Sequence, residues 1–205
     1  LISWLNHDFG VYMEKGRYVE ALLRSRKTVF SVSDIALLWQ ESRNTVACNR
    51  LLYYLKQGQL IRLRHGIYAR DKAYERLELA TKIMTPAYVS FETVLAKAGM
   101  IFQYYRDIYV ASYLTKEIVC DETLFSFRTI KDSVLTNPMG IDQKNEYAIA
   151  TPERALLDTL YLNKDFYFDN LSTLDWDKAF SLVSIYENKR LCKTLETLYK
   201  QYKAE

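Results

Sequence analysis

The chain has 205 residues, of which 49% are hydrophobic and 26% are charged, and this composition is typical of a globular protein with a core. The net charge of +3 does not demand a nucleic-acid partner, and three well-separated cysteines without a CxxC pair indicate neither a zinc site nor a disulfide framework. Because no apolar run reaches about 18 residues and the N-terminus lacks a signal-peptide pattern, we expect a cytoplasmic protein without a membrane span.

The first elements are predicted to be a helix, a strand and a second helix. Residues 17–27 carry apolar side chains at helical spacing. Residues 28–32, TVFSV, are rich in β-branched side chains and predict a short strand that pairs with a later hairpin. Ser33 is expected to cap the second helix, because its hydroxyl can accept a hydrogen bond from an amide of the next turn.

A third helix is predicted to follow a polar turn at residues 42–44. Ala47, Leu51 and Leu55 recur every four residues and would line its buried face. Gly58 suits the position that ends such a helix, since glycine readily adopts the left-handed conformation required there.

A β-hairpin is predicted directly after this helix. Two short runs, 60–64 and 67–70, alternate apolar and basic residues, and Gly66 lies between them. The order of helix, turn, helix and hairpin is that of a winged helix-turn-helix, whose second helix reads the major groove of DNA.

Positive charge is concentrated in the same segment. Residues 43–72 contain seven basic residues and one acidic residue, a net charge of +6 against +3 for the whole chain. A local cluster of this kind is the expected footprint of a DNA-binding surface. Residues 1–82 carry +6 and residues 83–205 carry −3, so we predict a winged helix-turn-helix domain over 1–82 and a C-terminal domain over 83–205.

The candidate DNA contacts lie at the start of the third helix, along its exposed stripe and on the hairpin. Arginine suits guanine and asparagine suits adenine in the major groove, and hairpin arginines suit phosphates. The alternative is that Asn44 is an ordinary helix cap and that the hairpin is a solvated basic edge. The predicted contacts are Arg43, Asn44, Thr45, Asn49, Arg50, Tyr53, Arg62, Arg64, His65 and Arg70.

The rest of the chain predicts a mixed α/β domain that ends in helices, so the overall fold class is α+β. The strongest local signal is Thr151-Pro152-Glu153, which combines a cap, a proline in the first turn and an acidic residue. Ser90 is expected to cap a helix that Gly99 ends. The predicted helices are 73–84, 90–97, 152–162, 176–187 and 189–203, and the predicted strands are 108–115, 124–130 and 147–150.

Glu153, Arg154 and Asp158 form an acid–base–acid group on one of these helices. A partner-facing surface is one interpretation. The favoured one is ordinary helix stabilisation, in which Glu153 complements the helix dipole and Arg154 pairs with Asp158 one turn later. His7 and His65 are too far apart and too few to indicate a metal site or a catalytic dyad, and we expect neither a metal nor a cofactor.

Three blocks of sequence stand out in their order and spacing: LIRLRHGIYAR (60–70), AYVSFETVLAKAGMI (87–101) and ATPERALLDTLY (150–161). Together they resemble the AbiEi-type antitoxins, transcriptional regulators of bacterial type IV, abortive-infection toxin–antitoxin systems that serve in phage defence. The resemblance extends over residues 60–205.

The resemblance implies two partners. The first is double-stranded DNA of the protein's own promoter, with inverted repeats, which the N-terminal winged helix would repress. The second is a genetically linked nucleotidyltransferase-like toxin, which the C-terminal domain would oppose without forming a stable complex.

Two other functions stay open at this point. A protein-interaction module would clasp a partner toxin directly, since winged helices also dock proteins. A metal-dependent nuclease would need carboxylates that converge on a metal ion, with Glu153 or Asp158 as candidates. No spacing of acidic residues indicates such a site, so we expect no enzymatic activity.

Overall fold

The computed structural model describes residues 17–41, 43–103, 106–144 and 146–204. Over these residues the chain is a mixed α+β protein with a three-stranded sheet and a six-stranded sheet. The helices are α1 (Arg17–Arg24), α2 (Val32–Leu38), α3 (Asn44–Lys56), α4 (Arg76–Ile83), α5 (Phe91–Lys97), α6 (Asp132–Leu135), α7 (Pro152–Leu162), α8 (Trp176–Leu182), a 3₁₀ helix (Val183–Tyr186) and α9 (Lys189–Ala204). The strands are β1 (Val29–Ser31), β2 (Ile61–Arg64), β3 (Ile67–Ala69), β4 (Ala87–Val89), β5 (Ile108–Ser112), β6 (Lys116–Cys120), β7 (Thr123–Thr129), β8 (Ile141–Lys144) and β9 (Tyr147–Ala150).

The three-stranded sheet has the antiparallel order β1-β3-β2. The predicted strand at 28–32 is confirmed as β1, and it pairs with the second strand of the hairpin, placing Phe30 opposite Tyr68. Gly66 turns the hairpin with a φ of +76°, and Gly58 ends α3 with a φ of +68°. Both glycines therefore hold backbone conformations that side chains disfavour.

Helices α1, α2 and α3 pack with this sheet around a small hydrophobic cluster. Trp39 is at its centre and is buried, with its indole Nε1 donating a hydrogen bond of 2.8 Å to the carbonyl oxygen of Tyr18. The ring centroids of Tyr18 and Tyr54 lie 5.4 and 5.8 Å from that of Trp39. These aromatic contacts fix the positions of α1 and α3 relative to α2.

The prediction that Ser33 caps α2 is wrong, because Ser31 does so. The Ser31 hydroxyl accepts a hydrogen bond from the Asp34 amide, and the Asp34 carboxylate accepts one of 2.9 Å from the Ser31 amide. This reciprocal capping box needs an acidic side chain three residues after the cap. Asp34 stands there for Ser31, whereas Ala36 stands there for Ser33.

Asp34 also forms ion pairs with two lysines, and these pairs should make the stability of the fold depend on pH. The ammonium groups of Lys27 and Lys82 lie 2.7 and 2.8 Å from its carboxylate oxygens. Burial alone would raise the pKa of Asp34, but the bonds from Lys27, Lys82 and Ser31 outweigh it and hold the pKa below its usual range. A carboxylate whose pKa is lower in the folded protein than in the unfolded chain stabilises the fold at pH values above its unfolded-state pKa. This contribution is lost as the pH falls through the folded-state pKa.

We therefore expect Asp34→Asn to be less stable than the native chain at neutral pH, with a difference that narrows as the pH falls below about 4. Urea unfolding at a series of pH values measures this difference. Asp71→Asn, an exposed change of the same chemistry, serves as the control. A difference that stays constant with pH would contradict this role of Asp34.

The larger sheet has the order β6-β7-β5-β4-β9-β8 and mixes parallel and antiparallel pairs. The predicted strands at 108–115, 124–130 and 147–150 are confirmed as β5, β7 and β9, and the helix start at Thr151-Pro152 is confirmed as the start of α7. The predicted helix at 176–187 forms α8 followed by the 3₁₀ helix, and 189–203 forms α9. A second hydrophobic cluster packs this sheet against its helices.

Side-chain hydrogen bonds join the hairpin, and the segments before and after the small sheet, to the rest of the protein. The Tyr74 hydroxyl donates to the Asp121 carboxylate at 2.9 Å, and the Cys120 thiol lies 3.3 Å from the carbonyl oxygen of Leu63 in β2. Glu78, buried on α4, accepts hydrogen bonds from the amide and hydroxyl of Thr28 at 2.8 and 2.7 Å. The hairpin therefore lies against the larger sheet, and Ile61, Leu63, Ile67 and Ala69 pack into the hydrophobic cluster of that sheet. Among the helices described, none combines the length and the apolarity needed to cross a bilayer.

Candidate nucleic-acid interface

Helix α3 has one face in the small core and an opposite face in solvent. Ala47, Leu51 and Tyr54 are buried. The opposite face exposes Asn49 and Tyr53, and Tyr53 is 58% exposed. The exposed side is mixed in character, because Val46 and Leu52 are also 40% and 53% exposed.

The first turn of α3 is also exposed. Arg43 occupies the N-cap position in an extended conformation, and its side chain makes no capping hydrogen bond. Asn44 and Thr45 follow as exposed first-turn residues. The alternative in which Asn44 caps the helix is wrong, since Asn44 is already inside it. Ser42, which belonged to the predicted turn, lies outside the described residues.

The hairpin presents its basic residues outward. Arg62 and Arg64 are exposed and alternate with half-buried Ile61 and Leu63, as strand alternation predicts. His65 at the tip is exposed, and the Arg62 guanidinium donates to its Nδ1 at 2.8 Å. Neither arginine has a carboxylate within ion-pair distance among the described residues, so both charges face solvent.

Arg50 differs from the exposed residues of α3 because its side chain contacts other parts of the protein. It is half-buried, forms an ion pair with Glu41 in the loop before α3, and lies over the ring of Tyr18 at 4.0 Å from the ring centroid. Its guanidinium thus ties α3 to α1 and to the preceding loop.

Arg70 is likewise engaged within the protein. Its Nη1 donates hydrogen bonds of 3.1 and 3.3 Å to the carbonyl oxygens of Leu23 and Ser25, at the end of α1. A cation at that position complements the C-terminal dipole of the helix. Both arginines therefore hold elements in place, while the other predicted contacts are exposed. Those exposed residues are Arg43, Asn44, Thr45, Asn49, Tyr53, Arg62, Arg64 and His65.

The acid–base–acid group on α7 is not exposed at the protein surface. Glu153, Arg154 and Asp158 are all buried, so the partner-facing interpretation is wrong. The predicted Arg154–Asp158 pair is present, with Nε lying 3.4 Å from Oδ1. The Asp158 carboxylate also accepts hydrogen bonds from the hydroxyls of Tyr88, Ser90 and Tyr186, at 3.0, 2.7 and 2.6 Å.

Burial raises the pKa of Asp158, although Arg154 and the three hydroxyls favour its charged form. Ser90 occupies the N-cap position of α5 but gives its hydroxyl to Asp158 and makes no capping hydrogen bond. The two carboxylates named for a nuclease are therefore enclosed within the core. Among the described residues, no group of three or more potential metal ligands comes together.

The sequence alone does not distinguish arginines that bind other parts of the protein from arginines that are exposed, because it does not reveal their partners. Glu41 and Tyr18 lie nine and thirty-two residues from Arg50 in the chain and carry no local signal of the contact.

Comparison of the chain with models of known protein families and with curated proteins found no match.

Proposed function

We propose that the protein is a DNA-binding transcriptional regulator in which α1–α3 and the β2–β3 hairpin form a winged helix-turn-helix. In this proposal α3 is the recognition helix and the hairpin is the wing. The observation that carries it is the separation of faces on these elements. Ala47, Leu51 and Tyr54 of α3 and the apolar residues of the hairpin enter the core, while the opposite sides expose the asparagines and the unpaired arginines.

The chemistry of the exposed residues suits duplex DNA. The N-terminal residues of a recognition helix approach base edges, where Asn49 or Asn44 can form paired hydrogen bonds with adenine. Arg62 and Arg64 supply unneutralised positive charge, which phosphates attract with a strong dependence on salt. Packing of Ile61 and Leu63 against the core fixes the backbone from which both arginines project, which lowers the entropy cost of binding.

The direct test is an electrophoretic mobility shift of the native chain with the DNA upstream of its own gene, against excess unrelated duplex of equal length. We expect a complex with the upstream fragment that survives competitor, because base contacts add to the phosphate term. Equal competition by both duplexes would leave only non-specific binding and would overturn the repressor proposal.

Asn49→Ala should reduce sequence discrimination more than it reduces affinity for unrelated DNA. Loss of one bidentate contact with a base costs about 1–3 kcal/mol of discrimination, whereas the phosphate contacts are retained. The ratio of dissociation constants for the upstream and unrelated duplexes measures this effect. Gln143→Ala, an exposed amide deletion on β8, should leave the ratio unchanged. An unchanged ratio in Asn49→Ala would remove Asn49 from base readout.

We further propose that the regulator is an AbiEi-type antitoxin that represses its own operon and counters a nucleotidyltransferase-like toxin. This rests on the resemblance of residues 60–205. Co-expression with the product of the adjacent reading frame tests it, since the chain should restore growth that the neighbouring protein arrests. Absence of arrest, or arrest that the chain does not relieve, would contradict the antitoxin role.

A second candidate function is protein docking by the same N-terminal elements. Leu37 on α2 is 80% exposed and Leu52 on α3 is 53% exposed, and such side chains suit an apolar partner surface. Leu37→Ser should then abolish co-purification with the neighbouring gene product while leaving duplex binding intact. Loss of duplex binding instead would assign Leu37 to the DNA-binding unit.

A further inference from the structure

A large cleft lies far along the chain from the hairpin, between α9 and the loop that joins α7 to α8. Its volume is about 1130 Å³, slightly above the range of about 300–1,000 Å³ for small-molecule pockets. Its apolar lining includes Leu160, Phe166, Phe168 and Leu198. The centroids of the two phenylalanine rings lie 5.0 Å apart. The cleft is thus a broad groove with an aromatic side.

The rim of the cleft is basic in a part of the chain that is otherwise acidic. Helix α9 carries five basic residues and one acidic residue, although residues 83–205 together have a net charge of −3. Lys189, Arg190 and Lys193 line the cleft from α9, and Lys164 faces them from the loop. Positive charge therefore collects along the groove.

Two of these lysines carry charge that the protein does not neutralise. Lys189 and Lys193 are exposed and lie one turn apart, and neither has an acidic partner within ion-pair distance among the described residues. Like charges at this spacing disfavour the helix slightly. Of the acids in the lining, Asp169 accepts the Phe102 amide at 2.7 Å, and Asp165 lies 3.9 Å from Lys164. An anionic ligand would supply the missing counter-charge.

An exposed aromatic ring lines the same cleft as these cations. Tyr167 lines the cleft and is 78% exposed, which leaves its ring open to a planar ligand. A stacking ring beside a basic groove is the combination by which proteins bind single-stranded nucleic acid. A duplex suits the cleft less well, because its base faces are covered by neighbouring base pairs.

We propose that this cleft binds single-stranded nucleic acid, with phosphates on Lys189 and Lys193 and a base stacked on Tyr167. The site is separate from the duplex-binding surface proposed for α3 and the hairpin, and it does not depend on that proposal. An acidic peptide is the competing occupant, since it would satisfy the cations without using the exposed ring face.

The test measures fluorescence anisotropy of a labelled oligothymidylate of about eight nucleotides and of a labelled oligoglutamate of similar length, each titrated with the full chain. Lys189→Ala combined with Lys193→Ala should weaken oligothymidylate binding and reduce its salt slope by about 1.4, the loss of two phosphate contacts on a single strand. Lys97→Ala combined with Lys116→Ala removes the same charge at exposed positions elsewhere and should change neither value.

The role of the ring has its own pair of variants. Tyr167→Ala should weaken oligothymidylate binding about tenfold, the loss of one stacked base, whereas Tyr167→Phe should retain it. Circular dichroism confirms that each variant folds.

Failure of this inference can be told apart from failure of the duplex proposal. Arg62→Ala combined with Arg64→Ala should leave oligothymidylate binding intact. If the Arg62 and Arg64 double variant loses single-strand binding while the Lys189 and Lys193 double variant retains it, the single strand binds at the hairpin and the cleft assignment is wrong. Absence of oligothymidylate binding at low salt, or tighter binding of oligoglutamate, would also overturn it.

Discussion

Replacing Arg62 and Arg64 together with alanine should weaken binding to duplexes of every sequence alike and should flatten its dependence on salt. Both guanidinium groups are exposed on the hairpin and neither has an acidic partner among the described residues. Each phosphate contact contributes about 0.9 to the slope of log K against log salt concentration, so the double variant should lose about 1.8. Fluorescence anisotropy between about 50 and 200 mM salt measures both the affinity and the slope.

The matched control removes two positive charges away from the hairpin, by Lys97→Ala combined with Lys116→Ala, both at exposed positions. If the control flattens the slope as much as the hairpin variant, the effect is due to net charge and not to contacts between the hairpin and DNA. An unchanged slope in the hairpin variant would show that the arginines do not reach phosphates.

Asp158→Ala should destabilise the fold by about 3–5 kcal/mol, because it leaves a buried cation without its counter-charge. Asp158 is fully buried, and Arg154, also fully buried, is its ion-pair partner. The same change removes the acceptor for the hydroxyls of Tyr88, Ser90 and Tyr186. Each buried hydroxyl left unsatisfied adds a desolvation cost.

The free energy of unfolding in urea measures this loss. Asp165→Ala, at an acidic side chain that is 80% exposed, is the matched control and should change stability by no more than about 0.5 kcal/mol. A cost below about 1 kcal/mol for Asp158→Ala would mean that the network contributes little beyond filling space.

Most of the helices and strands that were predicted correctly were predicted from residues that act on their immediate neighbours in the chain. Gly58, Gly66 and the Thr151-Pro152 pair each act within a few residues, where backbone sterics and capping decide the conformation. Strands β6 and β8 and the short helix α6 were missed. The sequence of β6, KEIVC, carries two charges, and its strand character depends on pairing with β7. Edge strands often carry such charges, so their composition resembles that of a loop.

Side-chain roles were harder to predict than elements, because they depend on distant partners. Arg50 and Arg62 look alike in sequence, yet Glu41 and Tyr18 engage the first while the second faces solvent. The Arg154–Asp158 spacing predicted an ion pair correctly. Its complete burial could not be predicted, since the hydroxyls that satisfy it come from residues 28 to 70 positions away.

The most direct test of the central claim is hydroxyl-radical footprinting of the side chains with and without saturating duplex from the upstream region. Tyr53 on α3 is 58% exposed, and Tyr113, in the C-terminal part, is 50% exposed, so the two rings should oxidise comparably in the free protein. If α3 lies in the groove of DNA, oxidation of Tyr53 should fall sharply on binding while that of Tyr113 stays the same. Unchanged oxidation of Tyr53 in a fully bound sample, or protection of Tyr113 instead, would contradict the assignment of α3 as the recognition helix.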